Sequence, residues 1–537
     1  MHNLFVVNGN RPVRRVFRFR LWSALALLLV LFVSGSHAAT YYIDYVNGKD
    51  SNSGTSKSSS WKHCPAMEPF SGNYTPQDGD RFIFKGGVTW PNAALPLLIT
   101  RGGTASNPAY YGVDKTWHTG TQWSRPVFDA QGVVFRNHGG NRGNVVWIKA
   151  CNYVEFDDIE IKNYVWTDPA PTSQSDGFCV YVSGSSDVVV RNVYAHDWVV
   201  QTQTDSKFGG LGGSGNSNVI ASNCVIIAPT HINPTYITDT GGGRTSGCGV
   251  IGFNIIDGCE IVGTTQGIWG GALIRNNVVR DMGNSYNSSA HENGAWIQND
   301  CDFYNNKIYN VQEGVGVYFL PGWGARSNRR INIYNNVFFN TPQINLTPQD
   351  SPDQSNEIWF FNNVVRQSSF CIQVGTTKGG SPFAKLVIQN NVFISENKYS
   401  NPNSIIKILD SADLGPGYVN SHNVIYTSSE AAALGMTPAN FFQPLQSIPV
   451  LRDVGVSHSS IMAHDILGTP RPQGLGWDIG PYEYQDGVLV QPPASPSGLG
   501  ASAPSATRID LTWKDNSANE NGFLIERSLA STSGFEQ

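Results

Sequence analysis

Through the middle of the chain, short apolar runs are broken at near-constant intervals by a pair of asparagines. The phrase reads ALIRNNVV at Asn277, CDFYNNKI at Asn306, INIYNNVF at Asn336, IWFFNNVV at Asn363 and LVIQNNVF at Asn391, so the second asparagine returns every 27–30 residues. Looser copies lie upstream at Asn192 (VVVRNVYA) and Asn223 (VIASNCVI), and downstream at Asn423 (NSHNVIY). A fixed period of this size marks a repeat architecture. The runs are too short for helices and rich in β-branched and aromatic residues, so each copy predicts strand, tight turn, strand. Asparagine tolerates the left-handed backbone that such a turn requires. Stacked copies put the asparagines in a column, where side-chain amides can bond from coil to coil. The pattern predicts an all-β fold, a parallel β-helix solenoid.

A third strand completes each coil and often opens with glycine, as in GFCVYV from Gly177, GIWGG from Gly267, GAWIQN from Gly294 and GVGVYFL from Gly314. Long loops precede it at 165–176, 199–208, 229–247 and 284–293, whereas later coils vary after it, in PGWGARSNRR and KGGSPFAK. These repeats resemble the right-handed parallel β-helix proteins of the pectate-lyase-like superfamily over roughly residues 40–485. So do the opening YYIDYVNGKDSNSGTSKSSSWKHC, the stretch GDRFIFKGGVTW, the turn GGTASNP and the closing WDIGPYEY. The resemblance implies three-strand coils with an asparagine ladder at one turn. It is specific for fold and weak for reaction, because one fold carries many functions.

The expected organisation is a β-helix over 39–484, with an N-terminal cap and irregular coils at 39–140, regular coils at 141–427 and a closing segment at 428–484. A Pro/Ser-rich linker follows at 485–498 (QDGVLVQPPASPSG). Residues 499–537, with IDLTW and ENGFLIERS, resemble the first strands of a fibronectin type III module. Such a sandwich needs about 100 residues, so this one is expected to be partial.

Composition sharpens the picture at the N-terminus. Arg11, Arg14, Arg15, Arg18 and Arg20, the apolar run Leu21–Val33 and Ser36-His37-Ala38 predict a signal peptide over 1–38, hence a secreted or cell-surface protein. The run is shorter than the roughly 20 residues of a membrane span, so no transmembrane anchor is expected after cleavage. Loss of those five arginines takes the formal charge from −5 to −10. That balance excludes nucleic acid as a partner, and an anionic ligand would need a local cationic patch or a bound cation. A monomer is expected. Eight cysteines all lie in the solenoid. Cys224 and Cys259 share a turn phase and would sit within bridging distance if their coils are neighbours, although a stack of buried thiols is the simpler expectation.

Alternation on the third strand turns Ile268, Ala295, Ile297, Val315 and Val317 inward and Trp269, Trp296, Gln298 and Tyr318 outward. Outward aromatics on a strand surface suit the faces of sugar rings, so these four are the candidate substrate-binding residues. The long loops bring Asp176, Asp205, Lys207, Arg244 and His291 to one phase beside them, over about four coils or ~19 Å. That set has the parts for β-elimination on a uronate polymer. Arg244 neutralises the carboxylate, Lys207 or His291 removes the C5 proton, and Asp176 with Asp205 holds Ca²⁺. The resemblance points the same way, since β-helix polysaccharide lyases use a basic residue with Ca²⁺ or a cationic side chain. A glycoside hydrolase is the second reading, with Asp205, Asp239 and Glu292 as carboxylates. An adhesive, non-catalytic carbohydrate-binding solenoid is the third. Asp157-Asp158 falls at the turn phase and is expected to be structural.

Overall fold

The computed structural model describes residues 38–133, 143–166, 177–200, 208–228, 247–282, 293–311, 316–321, 329–348, 356–367, 370–375, 382–401, 404–485, 496–505 and 508–516. The chain winds into a parallel β-solenoid with three long sheets, of 13, 12 and 11 strands among the described residues. The first sheet holds the strands before the asparagine turn, the second those after it and the third the glycine-opened strands. Every pairing within the three sheets is parallel, as in Arg330–Tyr334 on Glu357–Phe361 and Glu357–Phe361 on Lys385–Gln389. Inward side chains of all three sheets merge into one continuous core, from Ile43 and Phe82 at one end to Ile388 and Phe393 at the other.

The glycines that open the third-sheet strands have a packing cause. A Cβ built on Gly267 would stand 2.3 Å from the Gly294 carbonyl oxygen and 2.7 Å from Val279 of the second sheet. The sheets meet too closely there for any side chain.

The two asparagines of each pair divide the work that the sequence pattern assigns to them jointly. The first takes the left-handed backbone, with φ of +57°, +56°, +53°, +52° and +56° at Asn276, Asn305, Asn335, Asn362 and Asn390. Asp158, Asn192, Asn223, Gly258 and His422 hold the same conformation in other coils. The second asparagine points inward and is buried. Asn277 Nδ2 donates to Asn306 Oδ1 at 2.9 Å, and the relay continues through Asn336, Asn363 and Asn391 to Asn423 at 2.9–3.1 Å. Each acceptor oxygen also takes a backbone N–H from the coil before, as when Asn306 N–H donates to Asn336 Oδ1 at 2.9 Å. Asp157 and Asp158 lie at this turn phase too. Asp158 is held by Arg125 and Lys115 at 2.8 Å each, and Asp157 by Asn192 at 2.8 Å.

The closing segment folds back along the side of the last coils. Met436, Phe442, Ile448, Leu451 and Ile479 pack on Val337, Phe339, Val364, Val392 and Ile394 of the second sheet. Met462 and Trp477 pack on Tyr334 and Phe361 of the first. The outer asparagines stitch it down. Asn335 donates to His464 O at 2.8 Å, Asn362 to Asp478 O and Gly480 O at 2.8 and 2.9 Å, and Asn390 to Val456 O at 2.7 Å.

The WDIGPYEY motif organises this segment. Arg471 is buried and donates to Glu483 Oε2 at 2.7 Å and to the carbonyls of Asp478 and Gly480 at 3.0 and 2.9 Å. At the other end the opening motif does similar work. Asp44 pairs with Lys85 and Asp50 with His63, each at 2.8 Å, and both carboxylates cap nearby backbone N–H groups. Residues 497–505 and 508–514 form one antiparallel strand pair. Among the described residues no helix is long and apolar enough to cross a membrane.

Candidate functional site

The outward side chains of the third sheet form one register column. From Val146–Lys149 onward it runs Trp147, Tyr181, Gly212, Ile251, Trp269, Trp296, Tyr318, Asn345, Gln373 and Lys407. Ile268, Ala295, Ile297 and Val317 face the core; Val315 lies outside the described residues. The column has two parts. Phe178, Tyr181, Cys248 and Ile251 are buried in an apolar cluster on the outer face, with Trp147 and Trp269 packed against it. Phe178 fits because Gly212 lacks a side chain, and a Cβ there would lie 2.4 Å from its ring.

From Trp269 onward Trp269, Trp296, Tyr318 and Gln373 are half-buried, Asn345 is buried and Lys407 is exposed. The rings of Trp269 and Trp296 are 6.3 Å apart and tilted by 51°, and those of Trp296 and Tyr318 are 4.9 Å apart and tilted by 42°. Gln298 is half-buried just past the end of Asn293–Ile297. Beyond Tyr318 the column turns polar. Gln373 Nε2 donates to Asn345 Oδ1 at 3.1 Å, and the Asn345 side chain hydrogen-bonds the Tyr318 phenol. Burial pushes the Tyr318 phenol above its ordinary pKa, and the Asn345 hydrogen bond offsets part of that rise. This amide-to-amide-to-phenol relay was not legible in sequence, because it needs the register of three coils. The aromatic-to-amide strip from Trp269 to Gln373 crosses four inter-strand steps, or ~19 Å.

Asp176, Asp205, Lys207, Arg244 and His291 lie outside the described residues, as do Asp239 and Glu292. Phe178, Gly209, Cys248, Gln266 and Asn293 are successive register partners near the start of their third-sheet strands. Among the described residues no three His, Cys, Asp or Glu side chains converge as a metal site. The Ca²⁺ expectation therefore rests on Asp176 and Asp205 alone.

No protein-family model matches the chain, and no curated protein matches it. Several solved structures are similar in fold. A rhamnogalacturonan lyase superposes with a TM-score of 0.39 at 15% identity, covering 66% of this chain and 87% of its own. A GH136 lacto-N-biosidase from Eubacterium ramulus gives 0.38 at 15% identity, over 72% of this chain and 68% of its own. An alginate lyase from Paenibacillus sp. str. FPU-7 gives 0.31 at 12% identity, over 65% and 92%. At these identities the likeness is one of solenoid architecture.

Proposed function

We propose that this chain is a secreted carbohydrate-active protein that binds an acidic, uronate-containing polysaccharide along the outer face of the third sheet and cleaves it by β-elimination. The observation that carries the reading is the Trp269–Trp296–Tyr318 row running into the Asn345–Gln373 amides. Aromatic faces offer apolar area with fixed geometry to sugar rings, while Gln373 and the Tyr318 phenol, linked by the buried Asn345, offer hydrogen bonds to hydroxyls. The expected chemistry needs three parts. Arg244 neutralises the uronate carboxylate, Lys207 or His291 takes the C5 proton, and a proton reaches the leaving glycosidic oxygen. Tyr318 is the candidate for that last part, since burial raises its pKa and keeps the phenol protonated. Ca²⁺, held by Asp176 and Asp205, would supply positive charge at the carboxylate. The C-terminal strand pair, read as the start of a fibronectin type III module, would serve as a tether.

The test is incubation with a panel of alginate, pectate and glycosaminoglycans, following both the ultraviolet absorbance of unsaturated ends and new reducing ends. A rise in both supports elimination. Reducing ends without absorbance would turn the reading to hydrolysis, and neither signal, with retained binding, to an adhesive role. Lys207→Ala and Arg244→Ala should then abolish turnover with little change in the thermal transition, since charges on surface loops contribute little to stability.

A further inference from the structure

Along the inward position of the asparagine turn, Ile159 and Val193 fill the early coils and the amide ladder fills the coils from Asn277 onward. Between them stand two cysteines, Cys224 and Cys259. Their successors Val225 and Glu260 are register partners, and Glu260 N–H donates to Cys224 O at 2.8 Å. Both thiols are free and buried in the core, where Cys224 Sγ donates to Ser222 O at 3.4 Å and Cys259 Sγ to Asp257 O at 3.8 Å. Stacked coils lie ~4.8 Å apart, inside the Cα separation of about 4.4–6.8 Å that a disulfide spans. Each cysteine directly follows a left-handed residue, Asn223 at φ +51° and Gly258 at φ +67°. Gly258 in particular has the latitude to let the two turns draw together by a few tenths of an ångström. Among the described residues the other six cysteines have no cysteine as a register neighbour.

We propose that Cys224 and Cys259 are an oxidisable rung of the solenoid, a thiol pair in reducing surroundings and an inter-coil disulfide in oxidising ones. The co-reactant is a low-molecular-weight disulfide. One cysteine thiolate attacks it to form a mixed disulfide and releases one thiolate. The second cysteine thiolate then attacks the first cysteine's sulfur and releases the other. Two protein thiols are oxidised by two electrons in total, the small disulfide is reduced by two, and the two protons leave with the released thiols. Because both sulfurs are buried in the closed coil, exchange takes place as the coils assemble. The bond would tie together the two feet of the stretch that carries the insertion at 229–247.

The test is to unfold the full chain in urea and refold it in a buffer of oxidised and reduced glutathione. Remaining thiols are then alkylated in denaturant, and both mass and peptide linkage are read. The expected result is two fewer alkylated thiols than the eight of the reduced chain, with one linked peptide pair joining Cys224 to Cys259. The pair should be absent after Cys224→Val or Cys259→Val, substitutions for which Val193 in the same column is the precedent. Reductant should lower the thermal midpoint of the oxidised wild type by about 2 °C or more and leave the Val variants unmoved. Eight alkylated thiols after oxidative refolding, or a link through any other cysteine, would overturn the proposal. The wild-type linkage map alone decides the matter if the variants fail to fold.

Discussion

The two asparagines of the turn offer a direct test of how the solenoid is held together, because neighbouring residues of the same type should behave differently. Asn336 is buried within the ladder. Its Oδ1 accepts Asn306 N–H at 2.9 Å and Asn306 Nδ2 at 3.1 Å, and its Nδ2 reaches Phe303 O at 2.9 Å and Asn363 Oδ1 at 3.0 Å. In Asn336→Ala the Asn306 N–H loses its acceptor and Phe303 O loses a donor, both away from water. At about 1–3 kcal/mol for each buried polar group left unpaired, the cost is about 4 kcal/mol. Asn363 Oδ1 suffers less, since it keeps the Asn336 N–H at 2.9 Å. Asn335 differs. Its φ of +53° suits glycine, and its amide makes one hydrogen bond to His464 O. Asn335→Gly should therefore cost about 1 kcal/mol. Urea denaturation followed by tryptophan fluorescence compares the midpoints, since coils of a solenoid need not melt together. Hydrogen exchange at the Asn306 amide adds a local readout and should speed up only in Asn336→Ala. Equal losses in the two variants, or an Asn306 amide that stays protected, would refute the division of labour between the two positions.

Three further outcomes follow from the same structure. Arg471→Ala should destabilise the closing segment by about 3–5 kcal/mol, because it strands the buried Glu483 carboxylate, and Arg471→Met with Glu483→Leu should recover much of the loss; thermal melts decide it. His458, 6% exposed among Phe361, Trp359 and Trp477, has its pKa pushed down to about 4 by burial. The folded state therefore resists a proton that the unfolded chain accepts below about 6.5. Stability should fall by about 3 kcal/mol in all as pH drops from 6.5 through 4 and level off below, and His458→Phe should flatten that part of the wild-type curve. On the third sheet, Trp296→Ala should weaken polysaccharide binding about tenfold or more in a retardation assay. Tyr318→Phe should lower kcat, leave KM nearly unchanged and remove an alkaline limb from the pH profile if the phenol supplies the proton.

The fold was legible because the solenoid repeats one constraint in every coil. A left-handed turn residue beside an inward amide writes the same two letters every 27–30 residues, and the inward face of the third strand follows from alternation. What sequence could not separate was the pair itself. Two asparagines look alike on paper, yet Asn336 bonds within the ladder and Asn335 bonds the closing segment 129 residues away. The position of that segment was hidden for the same reason, since its partners are set by tertiary contacts with no period. The candidate site divides in the same way. Trp269, Trp296 and Tyr318 could be aligned from their strands, whereas the Asn345–Gln373 relay belongs to coils whose strands, Ile344–Leu346 and Ile372–Val374, carry no glycine phrase to set the phase.

The closing segment also bears on how the solenoid's surface is divided. It takes the outer surface of the second sheet around Phe339 and Ile394, and that of the first around Tyr334 and Phe361. The apolar cluster on the third sheet draws on none of it and is built from the third sheet's own strands. In the last coils two of the three lateral faces are thus used for stability, and the third carries Tyr318, Asn345 and Gln373. Outward residues on the first two faces are explained by what covers them: Trp359, for example, packs edge-on with His458. On the third face Trp296 and Tyr318 pack on each other, their rings 4.9 Å apart. Under the proposed function, the aromatic row on the third face would take the apolar faces of sugar rings and Gln373 their hydroxyls.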